Sequence, residues 1–101
     1  MYTATMEYRF KADHFDSACR LWEEIVLKAA LKREGFIRMQ FLVASPSALA
    51  VGTWKTREDA MAFMETGVFR TLKDKLGPYL DGEPQPKIWD LLHFAEKQDC
   101  K

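Results

Sequence analysis

Residues 36–54 read FIRMQFLVASPSALAVGTW. Residues 36–43 and 49–54, at the two ends of this stretch, are rich in β-branched and aromatic side chains, which is typical of strands. Between them, Ala44-Ser45-Pro46-Ser47 is typical of a turn. Because this connection is short, the two strands are predicted to pair as an antiparallel hairpin.

The segment that precedes the hairpin predicts a strand followed by a long helix. Residues 2–10 place an apolar side chain at every second position, which is the period of a strand. Asp13 is a predicted N-cap for the helix, and Gly35 a predicted residue just beyond its C-terminus. The spacing of the apolar residues predicts about five or six helical turns. The residues that form this apolar stripe are Phe15, Ala18, Trp22, Ile25 and Ala29, widened by Cys19 and Val26.

The segment that follows the hairpin repeats the pattern of a helix and then a strand. Thr56, followed three residues later by Asp59, resembles a capping box for a helix over residues 57–65. An interruption near Gly67 separates it from a shorter helix over 69–76, which Gly77-Pro78 ends. The last strand is predicted over 87–95. The order βαββαβ predicts an α+β, ferredoxin-like fold, with a four-stranded antiparallel sheet and both helices on one face.

The same pattern predicts a homodimer. Met6, Tyr8 and Phe10 lie on one face of the first strand, and the last strand is apolar on nearly both faces. Since both helices cover one side of the sheet, the other side needs a second cover. Pairing with the sheet of a second copy would supply it, in a dimeric barrel. The alternative is a monomer with an exposed apolar patch.

Composition predicts a single cytoplasmic domain over residues 1–101. Fifteen Lys and Arg balance fifteen Asp and Glu, which argues against a nucleic-acid or anionic-membrane partner. The longest apolar run, residues 60–64, has five residues, whereas a bilayer span needs roughly 20. No secretory leader is visible. Cys19 and Cys100 have no metal or redox spacing, which favours a reducing compartment and no metal site.

The sequence contains no G-x-S-x-G motif, no phosphate-binding loop and no paired histidines. The candidate functional residues are therefore polar or aromatic side chains among apolar neighbours. His93 is either a partly buried strand histidine that is hydrogen-bonded to a carbonyl group, or a proton shuttle in a pocket. Tyr8 is either a core aromatic residue or a hydrogen-bond donor into a pocket. Arg38 is either an interface charge or an anchor for an anionic substrate group. Trp22 and Trp54 are each either a core residue or the wall of a pocket for a planar ligand.

Residues 34–72, EGFIRMQFLVASPSALAVGTWKTREDAMAFMETGVFRTL, resemble the antibiotic biosynthesis monooxygenase family of dimeric α+β barrels. The features that carry the resemblance are Gly35-Phe36, the hairpin, the run from Trp54 to Ala60, and Phe63. The resemblance implies a homodimer. Members of the family include monooxygenases that need no cofactor. The haem-degrading branch uses an Asn, a Trp and a His at positions where this sequence has Tyr8, Phe63 and Lys73. No haem or other cofactor is therefore expected.

Two functional hypotheses follow. The first is a cofactor-independent monooxygenase acting on an aromatic phenol or quinol, with His93 and Tyr8 as catalytic residues and Arg38 and Trp54 as substrate-binding residues. Its substrate would be deprotonated in an apolar pocket and would then reduce O₂ directly. The second hypothesis is a non-catalytic dimeric module that binds a small hydrophobic ligand or a structural partner.

Overall fold

A computed structural model describes residues 1–97, so Cys100 lies outside the described residues. Its core is a four-stranded antiparallel sheet in the order β2-β3-β1-β4. The strands are β1 (Tyr2–Arg9), β2 (Phe36–Ala44), β3 (Ser47–Trp54) and β4 (Gln85–Asp90). The helices are α1 (Phe15–Trp22), α2 (Lys28–Leu31), α3 (Arg57–Met64) and α4 (Val68–Leu76). The predicted βαββαβ order, the antiparallel sheet and the β2–β3 hairpin are confirmed.

Strand register decides which side chains reach the helices. Tyr8 lies opposite Ala48 and Met6 opposite Ala50, and all four side chains share the face that the helices cover. The other face, here called the open face, carries the alternate residues of each strand. They include Thr3, Thr5, Glu7 and Arg9 of β1, Arg38, Gln40 and Leu42 of β2, Leu49, Val51 and Thr53 of β3, and Lys87 and Trp89 of β4.

The open face differs from the one that the sequence pattern predicted. Met6, Tyr8 and Phe10 belong to the helix-covered core, so β1 contributes only polar side chains to the open face. The apolar part of this face comes from the other strands: Leu42 is 51% exposed and Trp89 is 45% exposed. Any cover for the open face would therefore meet a mixed surface rather than a uniformly apolar one.

The first helix contains a π-helical turn that the spacing of its apolar residues did not predict. A 3₁₀ turn over Ala12–His14 leads into α1, and Glu23–Leu27 then forms the π-turn that joins α1 to α2. A π-turn takes in an extra residue. The buried residues consequently recur at every fourth position, as Ala18, Trp22, Val26 and Ala30, instead of alternating between steps of three and four.

Both predicted boundaries of this helix are wrong. Asp13 lies inside the 3₁₀ turn and makes no capping hydrogen bond. The helix ends at Leu31, with Lys32 as its C-cap, because three residues are needed to turn the chain into β2. Gly35 instead sits within that turn with φ of 80° and accepts a hydrogen bond from the Lys55 amide at 2.8 Å.

The predicted start of α3 is confirmed. The Thr56 hydroxyl oxygen accepts a hydrogen bond from the Asp59 amide at 3.0 Å, which satisfies one free N–H group of the first turn. The predicted interruption near Gly67 is also present, and α4 ends in a 3₁₀ turn over Gly77–Tyr79. α3 packs against β1 and β3, whereas α4 packs against α1 and the π-turn.

The predicted extension of the last strand to residue 95 is wrong, because β4 ends at Asp90. Asp90 pairs with Tyr2, so β1 has no further strand residue to offer as a partner. Residues 91–97, here called the tail, have no regular secondary structure. The tail leaves β4 at one edge of the sheet and reaches Arg38 on β2 at the other edge, where the Arg38 guanidinium lies 4.2 Å from the centre of the Phe94 ring.

Candidate functional site

An apolar cavity lies between the sheet and the helices and consists of two adjoining chambers. The inner chamber has a volume of about 20 Å³, which is room for one water-sized group. The outer chamber has a volume of about 150 Å³, similar to an apolar protein cavity that accepts benzene. Met6, Tyr8 and Phe69 line both chambers. The arrangement therefore offers a slot for one aromatic ring beside a niche for one small group.

Tyr8 stands at the junction of the two chambers. Its ring is 2% exposed and stacks on Phe10, with the ring centres 5.5 Å apart. The hydroxyl is buried beside the Trp22 indole, without a hydrogen bond of full geometry. Burial raises the pKa of Tyr8 well above its usual value, and the nearby Trp22 indole lowers it by less. Tyr8 therefore keeps its proton at neutral pH and acts as a hydrogen-bond donor, not as a base.

Trp22 also lines the inner chamber, and like Trp54 it was predicted as either a core residue or the wall of a pocket. It is the last residue of α1, directly before the π-turn, and it is 2% exposed. Its indole stacks on Phe41, with the ring centres 4.1 Å apart and the planes 18° from parallel. The indole Nε1 has no hydrogen-bond partner. The π-turn that follows Trp22 left no mark in the apolar periodicity, although such turns occur frequently at functional sites.

Trp54 also lines the inner chamber, as predicted for a pocket wall, and is at the same time a core residue. It is 1% exposed at the end of β3. Its ring centre lies 4.9 Å from that of Phe63 and 5.4 Å from that of Phe36. The sequence left these two interpretations as alternatives, and the geometry satisfies both.

The mouth of the outer chamber carries two charged side chains, Lys73 and Glu83. They form an ion pair with the Lys73 Nζ 3.6 Å from a Glu83 carboxylate oxygen, and both side chains are mostly exposed. Pro84 and Pro86 complete this rim. Sequence reasoning treated Glu83 only as part of a loop, since nothing in the local pattern shows that the loop folds back over α4.

The remaining predicted site residues, Arg38 and His93, lie away from the cavity. Arg38 is on the open face, where Glu96 of the tail lies 3.7 Å from it. His93 is exposed on the tail rather than held in a strand. One chain therefore brings Tyr8 and Trp54 together at the cavity but does not bring Arg38 or His93 to them.

Residues 1–97 contain neither a candidate metal site nor a candidate membrane-spanning helix. Within this range, no group of three or more His, Cys, Asp or Glu side chains is placed to hold a metal ion. None of the helices in the same range is both long and apolar enough to cross a membrane.

Burial of Tyr8 predicts a loss of stability at alkaline pH. The unfolded chain exposes a tyrosine with a pKa near 10.0, whereas the folded chain holds that pKa higher. As the pH rises past the lower value, the unfolded state loses a proton that the folded state keeps. The free energy of unfolding should then fall by up to about 1.4 kcal/mol per pH unit.

Urea unfolding on either side of that pH measures this slope. Tyr8→Phe should flatten it, whereas Tyr79→Phe, which removes a hydroxyl outside the cavity, should not. Equal slopes for Tyr8→Phe and the unchanged protein would contradict the assignment of Tyr8 as the responsible group.

Comparisons with solved structures show high structural similarity at low sequence identity. A candidate antibiotic biosynthesis monooxygenase from Nitrosomonas europaea aligns with a TM-score of 0.79 at 20% identity, over 92% of this chain and 100% of its own. Another candidate antibiotic biosynthesis monooxygenase, from Deinococcus radiodurans, aligns with a TM-score of 0.80 at 12% identity, over 97% of this chain and 99% of its own. A Nitrosomonas europaea protein of unknown function aligns with a TM-score of 0.81 at 12% identity, over 95% of this chain and 93% of its own.

The chain has the antibiotic biosynthesis monooxygenase-like fold. This confirms, for the architecture, the resemblance found in residues 34–72 and the ferredoxin-like α+β class. No protein-family model matches the chain, and no curated protein matches it in sequence. At these identities the likeness of the antibiotic biosynthesis monooxygenase-like structures shows a shared fold and does not transfer an activity.

Proposed function

We propose that the chain is a small monooxygenase that oxidises an aromatic phenol or quinol in the Tyr8 cavity without a cofactor. The observation that carries the proposal is an apolar slot of about 150 Å³ that is lined by Tyr8 and has room for one aromatic ring. Apolar walls with a few oriented polar groups are the usual form of a small-molecule site. The shared fold with candidate antibiotic biosynthesis monooxygenases supports the choice of reaction.

The reaction balances without an external reductant. A phenol with a free para position reacts with O₂ to give a quinone and water, so the substrate itself supplies all the electrons. The protein contributes an apolar cavity, which strengthens each polar contact once the substrate fills it, and fixed positions for the substrate. In this mechanism Tyr8 donates a hydrogen bond to the substrate oxygen, Phe69 packs against the ring, and Trp54 closes the inner end of the site.

The proton acceptor in this proposal is Glu83 rather than Tyr8. Tyr8 is protonated and cannot accept the phenolic proton first. Among the described residues that line the two chambers, Glu83 is the carboxylate. It stands at the mouth, so it would take the phenolic proton as the substrate enters and before the substrate oxygen reaches Tyr8. His93 and Arg38 could contribute only if a second copy brought them to the cavity, so their predicted roles stay predictions.

The proposal includes a homodimer of single-domain chains in the cytoplasm. A second copy would cover the apolar part of the open face, which includes Leu42, Leu49 and Val51 of the two hairpin strands. Burying such a patch is the ordinary solution for a soluble protein. Native mass spectrometry reads the oligomer directly: the proposal expects a dimer, and a monomer would contradict it.

A binding module without catalysis is the second candidate. The inner chamber favours it, because its described lining contains no Asp, Glu, Lys, Arg or His side chain that could transfer a proton. In that case the cavity would hold a small aromatic molecule unchanged. The two candidates make different predictions for oxygen uptake.

We expect the protein to accelerate oxygen uptake by a phenol or quinol, and Glu83→Gln to lower kcat about 100-fold, as for loss of a general base. Uptake in an oxygen electrode, with mass spectrometry of the product, measures this. Glu65→Gln, an exposed glutamate outside the cavity, is the matched control and should leave kcat unchanged. Oxidation at the same rate without O₂ would contradict the monooxygenase, and binding without oxygen uptake would favour the binding module.

A further inference from the structure

We infer that residues 82–84, at the tip of the loop between α4 and β4, form a gate on the outer chamber, and that the ion pair between Lys73 and Glu83 holds this gate closed. The gate sets how fast a ligand enters and leaves the chamber, whether the bound ring is oxidised or released unchanged. It acts on the rates of exchange and not on the recognition of the bound molecule.

The gate is part of a wall between two spaces. On the outer side of the wall lies a surface groove of about 580 Å³, which runs along the end of α4 and the loop. On the inner side lies the outer chamber of about 150 Å³. The residues that line both spaces are Lys73, Leu80, Glu83 and Pro84. Because the same side chains face both spaces, an outward movement of the gate would join the chamber to the groove.

The two ends of the loop are anchored to the sheet. The Asp81 amide donates a hydrogen bond to the Arg9 carbonyl oxygen at 2.7 Å. The same two residues form an ion pair, with the Arg9 Nε 3.6 Å from an Asp81 carboxylate oxygen. At the other end of the loop, Gln85 begins β4 and pairs with Glu7 of β1. Fixed ends confine the movement to residues 82–84.

The gate has space to move and a weak contact that holds it. A Cβ atom added at Gly82 would meet no atom within 4 Å, so this part of the loop lies in open space. Glu83 connects the gate to α4 through Lys73, with the charged atoms 3.6 Å apart. Both side chains are mostly exposed, and exposed ion pairs are weak because water screens them. A weak contact breaks often, which suits a gate that admits a ligand and then closes.

The charge of this contact makes the gate sensitive to salt. At an ionic strength of about 1 M the Debye length is about 3 Å, so salt screens an exposed pair of this kind strongly. The walls of the outer chamber, by contrast, are mainly apolar. A ligand without charge should therefore respond to salt through the gate.

The test measures the exchange of benzene, a probe without charge that fits an apolar cavity of about 150 Å³. NMR line shapes of the protein give its association and dissociation rates. We expect Lys73→Met, which keeps the length of the side chain and removes its charge, to raise both rates about threefold and to leave Kd nearly unchanged. Sodium chloride at about 1 M should have the same effect on the unchanged protein and little further effect on the variant.

Lys75→Met is the matched control, because Lys75 lies on the same helix and lines neither the chamber nor the groove. Its exchange rates should equal those of the unchanged protein. Lys73→Glu should raise the rates further, since it places two negative charges at the gate. Adding Glu83→Lys to Lys73→Glu restores an ion pair of reversed polarity and should return exchange to the slow rate, which a loss of packing alone would not do.

Three outcomes would overturn the gate. If benzene binds and Lys73→Met exchanges it at the rate of the unchanged protein, the gate is overturned while the cavity remains a ligand site. If Lys75→Met raises the rates as much as Lys73→Met does, the charge of the helix and not the ion pair is responsible. If benzene binds neither to the unchanged protein nor to Lys73→Met, both the gate and the proposed function are overturned.

Discussion

Replacing Trp54 by alanine should lower the free energy of unfolding by about 3–5 kcal/mol, the usual cost of deleting a buried tryptophan. The indole is 1% exposed, and its removal would leave Phe36 and Phe63 facing an empty space. For a domain of this size, each 1 kcal/mol shifts Tm by roughly 4–8 °C. Urea or thermal unfolding would measure the loss.

Two further substitutions separate the structural role of Trp54 from its predicted role in substrate binding. Trp89→Ala removes a tryptophan that is 45% exposed, and it should cost less than about 1 kcal/mol even though the Trp89 indole donates to the Thr5 hydroxyl. Trp54→Phe should recover much of the lost stability and would therefore allow ligand binding to be measured in a folded variant. A Trp54→Ala cost no larger than that of Trp89→Ala would show that Trp54 is not part of the core.

Gly35→Ala should lower the free energy of unfolding by about 2–3 kcal/mol. Gly35 has φ of 80°, a left-handed conformation that costs an L-residue about 1–2 kcal/mol. A Cβ atom at this position would also collide with the side chain of Asp59. Asp59 lies in the first turn of α3, so the collision would disturb the start of the helix that covers the sheet.

Gly67→Ala is the matched control, because Gly67 has φ of −67° and a Cβ there would meet no atom within 4 Å. It should leave the free energy of unfolding nearly unchanged. Adding Asp59→Ala to Gly35→Ala removes most of the collision and should restore part of the loss, while the backbone strain remains. Equal stability of the Gly35 and Gly67 variants would show that the turn into β2 tolerates a side chain.

The elements that could be predicted from sequence are those whose signal is local. Alternation in β1, the hairpin turn and the Thr56 cap each depend on a few neighbouring residues. The end of β4 could not be predicted, because it depends on where its partner β1 begins. The π-turn after Trp22 could not be predicted either, since it redirects the buried face of a helix whose apolar spacing is ambiguous.

The candidate site residues also differ in whether their sequence signal is local. Tyr8 and Trp54 were predictable because both alternate into the core face of a strand. Trp22 was predicted with the same two alternatives as Trp54, core residue or pocket wall. Glu83 was missed because its place at the cavity depends on how its loop lies over α4. His93 was expected in a strand among apolar neighbours, but β4 stops three residues before it.

The strand order gives the sheet two unequal edges. β4 forms one edge, and Pro86 within it and Pro84 just before it have no amide proton to offer to an incoming chain. β2 forms the other edge with nine residues, of which Arg38 carries the sole charge, and within residues 1–97 nothing pairs with its outer side. Ordered aggregation in concentrated or partly unfolded samples should therefore begin at β2, by addition of strands from other chains.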